Sequence, residues 1–267
     1  LVRGEGHLSG NAPPEVRRDQ MLAALAEREF VRVTDLSDMF GISEVTVRHD
    51  LETLQDACRL RRVPGGAVVA PPQPERPFEQ SLGAQAEEKR RMGEAAAALV
   101  TSGETIILDV GSTTAAVARA LVARSDLNDV ICFTNGLKVA LELEPAIPRF
   151  TVVLTGGTLR PLQHSLVDPL AGVILDDIHA DTVFLGCNGI DVEAGVTNVN
   201  LPEAEIKRRM VRAARRRIVL ATGDKLGVAS LAPLCTIDDV TMLITDTSAD
   251  PGLVTGLREA DLQVLVV

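Results

Sequence analysis

The sequence predicts an α/β chain in which an N-terminal winged helix-turn-helix is joined to a Rossmann-like α/β domain. Three observations support this prediction. Two short amphipathic helix patterns meet at Gly41 and are followed by a small basic hairpin pattern. A proline-rich stretch at residues 70–77 then interrupts both patterns. From residue 84 onward, apolar strand patterns alternate with helix patterns, which is typical of a mostly parallel sheet covered on both faces.

The first region, residues 14–70, is predicted to hold three helices and a hairpin. Residues 1–13 are predicted to be a disordered tail because they are polar and rich in glycine, and a helix follows from Pro13 or Pro14 to about Arg28. Thr34 is predicted to cap the second helix, Gly41 to end it, and Ser43 to cap the third. The side chains predicted to face inward are Val16, Met21, Leu22, Leu25, Leu36, Met39, Phe40, Val47, Leu51 and Leu54.

The third helix carries polar groups outside its apolar stripe. In the helix-turn-helix layout such a helix enters the DNA major groove, and its first turns meet base edges. Thr46, Arg48 and His49 are the side chains that this layout brings to the bases. Two capped helices around a glycine turn also occur in ordinary helical domains, so the helices alone leave that alternative open.

A basic hairpin directly after the third helix favours DNA binding. Leu60, Val63 and Val68-Val69 suit two short strands around the turn Pro64-Gly65-Gly66. Such a hairpin is the wing of a winged helix. Contacts to phosphates, which supply affinity and register, are predicted for Arg59, Arg61 and Arg62.

Residues from about Arg17 to Val69 resemble the DNA-binding domain of the DeoR family of bacterial transcription regulators. The resemblance rests on Ser43-Glu-Val-Thr-Val-Arg-His-Asp-Leu51 followed by Arg62-Val-Pro-Gly-Gly-Ala67. His49 stands where the family usually has a second arginine, and Cys58 where it usually has glycine. The predicted DNA-binding residues are Thr34, Ser43, Glu44, Thr46, Arg48, His49, Arg59, Arg61, Arg62, Gly65 and Gly66.

The net charge of −10 does not exclude a DNA partner, because salt screens charges beyond about 8–10 Å and a local basic patch can still bind phosphate. Residues 13–70 carry eight arginines and no lysine against ten acidic residues. This balance predicts modest non-specific affinity, so a homo-oligomer (dimer or tetramer) is expected. The absence of Trp and Tyr argues against stacking of single-stranded nucleic acid.

The second region is predicted to follow a semi-rigid proline-rich linker, residues 71–83, and to span residues 84–267 as an effector and oligomerisation domain. Its predicted helices cover residues 84–100, 113–123, 136–143, 166–176, 203–214 and 253–259. Its predicted strands cover residues 105–110, 130–134, 150–155, 182–186, 217–221, 242–245 and 263–266.

Small polar loops follow successive predicted strands of this region. In an open α/β sheet, ligands bind at the carboxyl ends of the strands. The loop Asp109-Val-Gly-Ser-Thr-Thr114 runs into a helix start, where hydroxyls and free N–H groups can form an anion site; the alternative is a plain capped helix start. Together the loops predict one rim suited to a small polyhydroxylated anion, at residues 109–114, 134–136, 155–158, 186–189, 195–198, 203–207 and 224–225.

Residues from about Glu88 to Val267 resemble the DeoR-family effector domain, which shares its fold with ribose-phosphate isomerase, glucosamine-phosphate deaminase and the CoA transferases. The matching motifs are Asp109–Thr114, Gly156-Gly157, Phe184-Leu-Gly186 with Gly189-Ile-Asp191, and Ala204-Glu-Ile-Lys207. The resemblance implies a sugar-phosphate effector, with the phosphate on the Ser-Thr-Thr loop. The predicted effector-binding residues are Asp109, Gly111, Ser112, Thr113, Thr114, Thr134, Asn135, Gly156, Gly157, Asn188, Gly189, Glu203, Lys207 and Lys225.

Two departures from the family pattern leave open a vestigial pocket. Asp168 stands where the family commonly has glycine, and Asp224 stands where it often has serine, beside the expected Lys225. An acid next to that lysine can pair with it and weaken a phosphate site.

The sequence therefore predicts a cytoplasmic transcription regulator, a repressor of sugar catabolism or transport genes that binds a double-stranded DNA operator and responds to a phosphorylated sugar. No catalytic residue, cofactor or metal site is predicted, and the four cysteines lack metal-ligand spacing. The alternative is a sugar-phosphate isomerase or deaminase-like enzyme with an attached DNA-binding module, in which Glu203, Glu205, Lys207 and Lys225 would transfer protons.

Overall fold

The computed structural model describes residues 13–28, 30–56, 60–63, 65–69 and 75–267. The chain divides into two compact units, Leu1–Gln73 and Pro74–Val267. The predicted tail up to residue 12, Cys58 and Arg59, and residues 70–74 of the proline-rich stretch lie outside the described residues.

The first unit is a winged helix-turn-helix, as predicted. In its described part, a three-stranded antiparallel sheet of order β1-β3-β2 accompanies three helices. Buried side chains from all three helices, among them Met21, Leu36, Phe40 and Leu51, form one core with the sheet. The elements in chain order are α1 (Pro14–Arg28), β1 (Phe30–Arg32), α2 (Val33–Phe40), α3 (Glu44–Asp56), β2 (Leu60–Val63) and β3 (Gly66–Val69).

The start of α2 differs from the prediction. The helix begins at Val33, and Arg32 is the residue before it. Thr34 is therefore not the cap; its hydroxyl donates to the Asp35 carboxylate at 3.4 Å. The reason is that β1, which was not predicted, pairs with β3 and carries the chain directly into a buried Val33. Val16 was also misplaced, because it lies 47% exposed.

The second unit contains the α/β domain. Its elements in chain order are α4 (Phe78–Gly83), α5 (Ala86–Ala97), β4 (Thr105–Leu108), α6 (Ser112–Ala123), β5 (Val130–Thr134), α7 (Leu137–Leu143), β6 (Phe150–Leu154), β7 (Thr158–Arg160), β8 (Ser165–Val167), α8 (Val173–Asp176), β9 (Ala180–Gly186), β10 (Gly189–Asp191), β11 (Gly195–Asn198), α9 (Leu201–Ala213), β12 (Ala214–Leu220), β13 (Ala232–Cys235), β14 (Met242–Thr245), α10 (Pro251–Glu259) and β15 (Gln263–Val266).

Within residues 75–267, seven strands form one parallel sheet of order β15-β14-β12-β9-β4-β5-β6. Alternate side chains point to opposite faces of a strand, so Ile106 and Ile107 of β4 enter two different cores. Helices α5, α6 and α7 cover one face, and α9 and α10 contribute to the core on the other. The prediction of a parallel sheet covered on both faces is confirmed.

One predicted helix is wrong. Residues 166–176 were predicted to be helical, but β8 occupies the start of that range and only Val173–Asp176 is helical. The physical reason is that β8 pairs antiparallel with β7, while Pro169 and Gly172 disfavour a helix interior.

A small antiparallel sheet of order β10-β11-β13 was not predicted either. Its strands have three or four residues, and β13 pairs with β11 from far along the chain, so no local pattern indicates it. No helix in the described part of the chain is long and apolar enough to cross a membrane.

Candidate functional site

The start of α3 is fixed by local capping. Gly41 ends α2 in the left-handed conformation, with φ of 62°. The Ser43 hydroxyl accepts a hydrogen bond from the Thr46 amide at 3.2 Å, and the two side-chain oxygens lie 2.9 Å apart. Ser43 therefore caps α3 as predicted, and the predicted stripe of Val47, Leu51 and Leu54 is buried.

A buried ion pair holds α3 against α1. Asp50 is 1% exposed and accepts hydrogen bonds from Arg17 Nε at 2.7 Å and from Arg18 Nε at 3.1 Å. Removing one partner of a buried pair typically costs about 3–5 kcal/mol, because the other charge is left without compensation. Asp50 therefore fixes the position of α3 and leaves the opposite face of the helix to solvent.

The exposed face of α3 carries the predicted reading residues. Arg48 is half-exposed and its guanidinium lies 2.5 Å from the Glu44 carboxylate. Arg62 of the wing is paired with Glu52 at 3.2 Å. Exposed pairs contribute only about 0.2–1 kcal/mol, so phosphates or bases can replace the carboxylates at little cost.

Val45 is an exposed side chain that the sequence interpretation missed. It is 72% exposed in the first turn of α3. An apolar side chain in the major groove can contact the methyl group of thymine. The signal was present, because Val45 is apolar yet falls outside the stripe of Val47, Leu51 and Leu54.

The wing is a tight hairpin, and glycine is needed at its two glycine positions for different reasons. Gly65 has φ of 84° at the exposed turn. Gly66 is buried: a Cβ there would lie 2.3 Å from the Val31 carbonyl oxygen, so its glycine is required by packing against β1. Arg59 lies outside the described residues, and Arg61 is described only as a residue of β2.

In the second unit, three residues of the predicted rim, Asp109, Gly186 and Lys207, meet at the carboxyl edge of the central strands. Asp109, which follows β4, and Lys207, on α9, form a buried ion pair. Lys207 Nζ also donates to the Gly186 carbonyl at the end of β9, at 2.8 Å, and the Gly186 amide donates to Asp109 Oδ2 at 2.9 Å. β4, β9 and α9 are thereby tied together at one point.

The charges at this point are strongly coupled. Burial lowers the pKa of Lys207, but the carboxylates of Asp109 and Glu203 outweigh that effect and hold its pKa above the ordinary value. Lys207 therefore favours its charged form, whereas burial raises the pKa of Asp109 against the pull of Lys207. The second oxygen of Asp109, Oδ1, is buried, and no group in the described part of the chain donates a hydrogen bond to it.

The Ser-Thr-Thr loop begins α6. Gly111 precedes the helix with φ of 144°, and Ser112, Thr113 and Thr114 form its buried first turn. Thr114 Oγ1 donates to the Gly111 carbonyl at 2.9 Å, so this hydroxyl serves the turn itself. The amides of a helix first turn lack partners within the helix, which suits them to an anion.

Several predicted rim residues hold loops together. Asn135 accepts from the Val110 amide at 3.1 Å and donates to the Leu166 carbonyl at 3.2 Å, while Thr134 Oγ1 accepts from the Gly136 amide at 3.1 Å. Asn188 Oδ1 accepts from the Val199 amide at 3.1 Å.

The remaining rim glycines differ in the space that is available for a Cβ atom. A Cβ at Gly157 would lie 2.4 Å from the Val167 carbonyl oxygen, and one at Gly189 would lie 2.1 Å from that of Val228. Both glycines are therefore required by packing. Gly156 has φ of 72° and open space around its Cβ position.

Glu203 is the centre of a network that sequence analysis found only in part. Its amide is capped by Asn200 Oδ1 at 3.1 Å, and its carboxylate accepts hydrogen bonds from Ser165 Oγ and, at 2.7 Å, from Arg160 Nη1. Arg160 also forms a bidentate ion pair with Glu75. Arg160 and Glu75 were missed because no local pattern links residues so far apart in sequence.

The two acids that depart from the family pattern have their own partners. Asp224 accepts from Thr222 Oγ1 at 2.6 Å and from Gln85 Nε2 at 3.3 Å, and it is exposed beside a half-buried Lys225. Asp168 accepts from the Gly172 amide at 3.1 Å and lies 3.6 Å from Arg209.

Comparison with known proteins gives two family matches. Residues 84–247 match the model described as the DeoR C terminal sensor domain, and residues 17–73 match that of the DeoR-like helix-turn-helix domain.

Relatives match over nearly the whole chain. The HTH-type transcriptional regulator GolR of Listeria innocua is 32% identical, over 95% of this chain and 98% of its own. The HTH-type transcriptional repressor CsqR of Escherichia coli K12 is 30% identical, over 97% and 96%. Among solved structures, ribose 5-phosphate isomerase A from Neisseria gonorrhoeae is similar in fold, with 17% identity over 53% of this chain and 54% of that one and a TM-score of 0.40.

The buried pair under α3 generates a stability prediction. Asp50→Ala removes the carboxylate that Arg17 and Arg18 share, so we expect the local unfolding free energy of α1 and α3 to fall by about 3–5 kcal/mol. Amide hydrogen exchange of the full chain measures it helix by helix. Glu52→Ala, which removes only an exposed pair from the same helix, is the control and should change protection by less than about 1 kcal/mol. Equal effects of the two variants would contradict the role of Asp50.

Proposed function

The chain belongs to the DeoR family of transcription regulators, and from that premise we propose that it represses genes of sugar catabolism or transport under the control of a phosphorylated sugar bound to its second unit. It is a DNA-binding regulator with a sensor domain. The class of effector, the residues that bind it and the oligomeric state are the proposal.

The DNA half of the proposal is supported by the exposed face of α3. The pair that Arg48 makes with Glu44 is worth about 0.3–0.5 kcal/mol, whereas a bidentate contact to a base contributes about 1–3 kcal/mol. The base contact is therefore the stronger of the two, and Arg48 can leave Glu44 for an operator. Thr46 and Val45 lie in the same first turns of α3, where hydroxyl and methyl contacts to base edges are made.

The sensor half is carried by one observation, the buried Asp109 Oδ1 to which no described group donates. A buried acceptor without a donor costs about 1–3 kcal/mol. A ligand hydroxyl at that oxygen removes the cost, so the site favours a polyol. The first turn of α6, beside Asp109 in sequence, offers amides and hydroxyls to a phosphate, and Lys207 and Lys225 add positive charge.

The enzyme alternative finds less support. Proton transfer needs a group that can change its protonation state near neutral pH. Lys207 is instead held as a cation by Asp109 and donates to the Gly186 carbonyl, while Glu203 is engaged by Ser165 and Arg160. Turnover of pentose and hexose phosphates by the purified protein would decide for the enzyme.

The first expectation concerns the DNA-binding residues. Arg48→Ala should weaken operator binding by about 1–3 kcal/mol and relax sequence choice, because it removes a base contact. Arg62→Ala should weaken binding to all duplexes alike and reduce the salt slope by roughly one unit, because it removes a phosphate contact. Fluorescence anisotropy on an operator selected by the protein from random duplexes measures both. Arg119→Ala, in an exposed pair of the second unit, is the control; full affinity in the double variant would refute the interface.

Assembly is the second expectation. One recognition helix reads only a few base pairs, and residues 13–70 carry more acidic than basic side chains, so useful affinity requires at least a dimer on repeated half-sites. Light scattering on the full chain at micromolar concentration should report a homo-oligomer, and a monomer there would contradict it.

The third expectation concerns the effector. A sugar phosphate at a hundredfold excess over its Kd should stabilise the protein by about 2.7 kcal/mol, which a thermal-shift screen detects. Ser112→Asp should abolish that shift, because a carboxylate in the first turn of α6 repels an anion there. Circular dichroism checks that the variant folds, because Ser112 is buried and only the helix N-terminus favours a carboxylate there. Ser125→Asp, in the exposed loop after α6, is the control. An unchanged shift in Ser112→Asp would place the effector elsewhere.

A further inference from the structure

One hairpin of the second unit contacts both the candidate sensor site and the first described residues of that unit. We call residues 158–167, which comprise β7, β8 and their turn, the coupling hairpin. We call Glu75–Glu79 the entry segment. Along the chain, residues 70–74 join the entry segment to β3 of the DNA-binding unit.

The site side of the coupling hairpin is held by Glu203 and Asn135. Arg160 Nη1 donates to Glu203 Oε1 at 2.7 Å, and Ser165 Oγ donates to the same oxygen. The Leu166 amide donates to the Asn135 carbonyl at 2.8 Å, and the Asn135 side chain donates back to the Leu166 carbonyl. Glu203 is 4% exposed, so these contacts are shielded from solvent. They are therefore sensitive to any group that competes for the Glu203 carboxylate.

The other side of the coupling hairpin holds the entry segment. Arg160 pairs with Glu75 through both of its terminal nitrogens. The Phe78 amide donates to the Leu162 carbonyl at 2.9 Å, and Gln163 Nε2 donates to the Arg76 carbonyl at 2.6 Å. His164 stacks edge-on against Phe78 with ring centres 5.9 Å apart, and its Nε2 lies 2.6 Å from Glu79.

Arg160 is the one side chain in these described contacts that touches both Glu203 and Glu75. Its side chain is 18% exposed and that of Glu75 only 12%, so solvent screens this pair far less than the exposed pairs of the surface. Burial lowers the pKa of Arg160, but the Glu75 and Glu203 carboxylates outweigh it and raise the pKa. Arg160 is thus a permanent cation shared by two acids.

We propose that Arg160 is a positioning residue through which the sensor site controls the entry segment, an inference that rests on the proposed sensor function. A ligand hydroxyl that engages Glu203, or an anion that attracts Arg160, weakens the Arg160–Glu203 contact. Arg160 then loses its anchor at the site, Glu75 loses a fixed partner, and the entry segment loosens from the coupling hairpin. The change ends at the entry segment, the first described part of the second unit, which follows residues 70–74 along the chain.

Hydrogen exchange of the full-length protein tests this proposal at one amide. The Phe78 N–H is bonded to the coupling hairpin, so its exchange rate reports how firmly the entry segment is held. Glu203→Gln, on the site side, should speed exchange at Phe78 several-fold. Glu75→Gln should do the same, and the double variant should exchange no faster than Glu75→Gln alone, because both act through Arg160. Glu142→Gln, whose partner is the exposed Arg119, is the matched control and should leave Phe78 unchanged.

Measurements with sugar phosphates separate this inference from the sensor proposal. Each pentose or hexose phosphate that raises the melting temperature of the wild type should also speed Phe78 exchange. Glu75→Gln should keep the thermal shift but lose the effect of ligand on operator affinity, a split that a merely structural role would not produce.

The outcomes are distinct. Failure of every sugar phosphate to stabilise the wild type refutes the sensor proposal, and the exchange of the variants still decides the inference. Additive effects of Glu203→Gln and Glu75→Gln, or a Phe78 rate that Glu203→Gln does not change, overturn it. If Glu203→Gln lacks the wild-type circular dichroism spectrum, Glu203→Asp, which draws the carboxylate back from Arg160, serves as the site-side variant with the same expected outcomes.

Discussion

The ion pair between Asp109 and Lys207 is the interaction on which the second unit depends most. It joins the end of β4 to α9 and, through Gly186, to the end of β9, so three elements meet at two buried charges. Removing one partner would cost about 3–5 kcal/mol, yet apolar side chains of similar volume would serve stability as well or better. Stability alone therefore does not explain why charges lie at this edge of the sheet, and the polar effector proposed above would account for them.

In the DNA-binding unit, buried and exposed ion pairs have different roles. A buried carboxylate, Asp50, fixes α3 against α1, while Arg48 and Arg62 pair on the surface with the exposed carboxylates of Glu44 and Glu52. Desolvated pairs are strong and define where a helix lies. Solvated pairs are weak and can be exchanged for another anion. The scaffold is thus rigid where the reading helix is anchored and adaptable where it meets its partner.

The coupling hairpin adds a connection between the site and the start of the second unit. Its turn lies against Phe78 and Glu79, and its strands lie against Glu203 and Asn135. Because one guanidinium is shared between Glu203 and Glu75, the geometry at one carboxylate depends on the other. In the coupling that we propose, the loss of one hydrogen bond at the sensor site is sufficient to loosen the entry segment.

Local patterns were sufficient for the regular elements. The apolar strands of the parallel sheet and the helices after them were predicted within a few residues, because full burial imposes a continuous apolar run and amphipathic helices repeat every 3.6 residues. Asp109 and Glu203 could be singled out locally, since Asp109 follows a strand and Glu203 lies in the first turn of a helix, and Lys207 lies one turn further along that helix. The predicted helix over residues 166–176, the missing hairpin and the missing small sheet share one cause: strands of three or four residues are stabilised by partners elsewhere in the chain.

The sequence by itself determined the two fold classes, the order of the central strands with most of the helices between them, and the polar residues that end those strands, because each depends on neighbours along the chain. Tertiary structure decided which of those residues touch. Thr34 lies inside its helix rather than at the cap, and the side chains of Asn135 and Thr134 form hydrogen bonds that hold loops. Arg160 lies between Glu75 and Glu203. Arg160 and Glu203 are separated by 43 positions in the sequence, and Arg160 and Glu75 by 85. Such contacts follow from how the strands and the hairpin pack, and no periodicity in the chain encodes them.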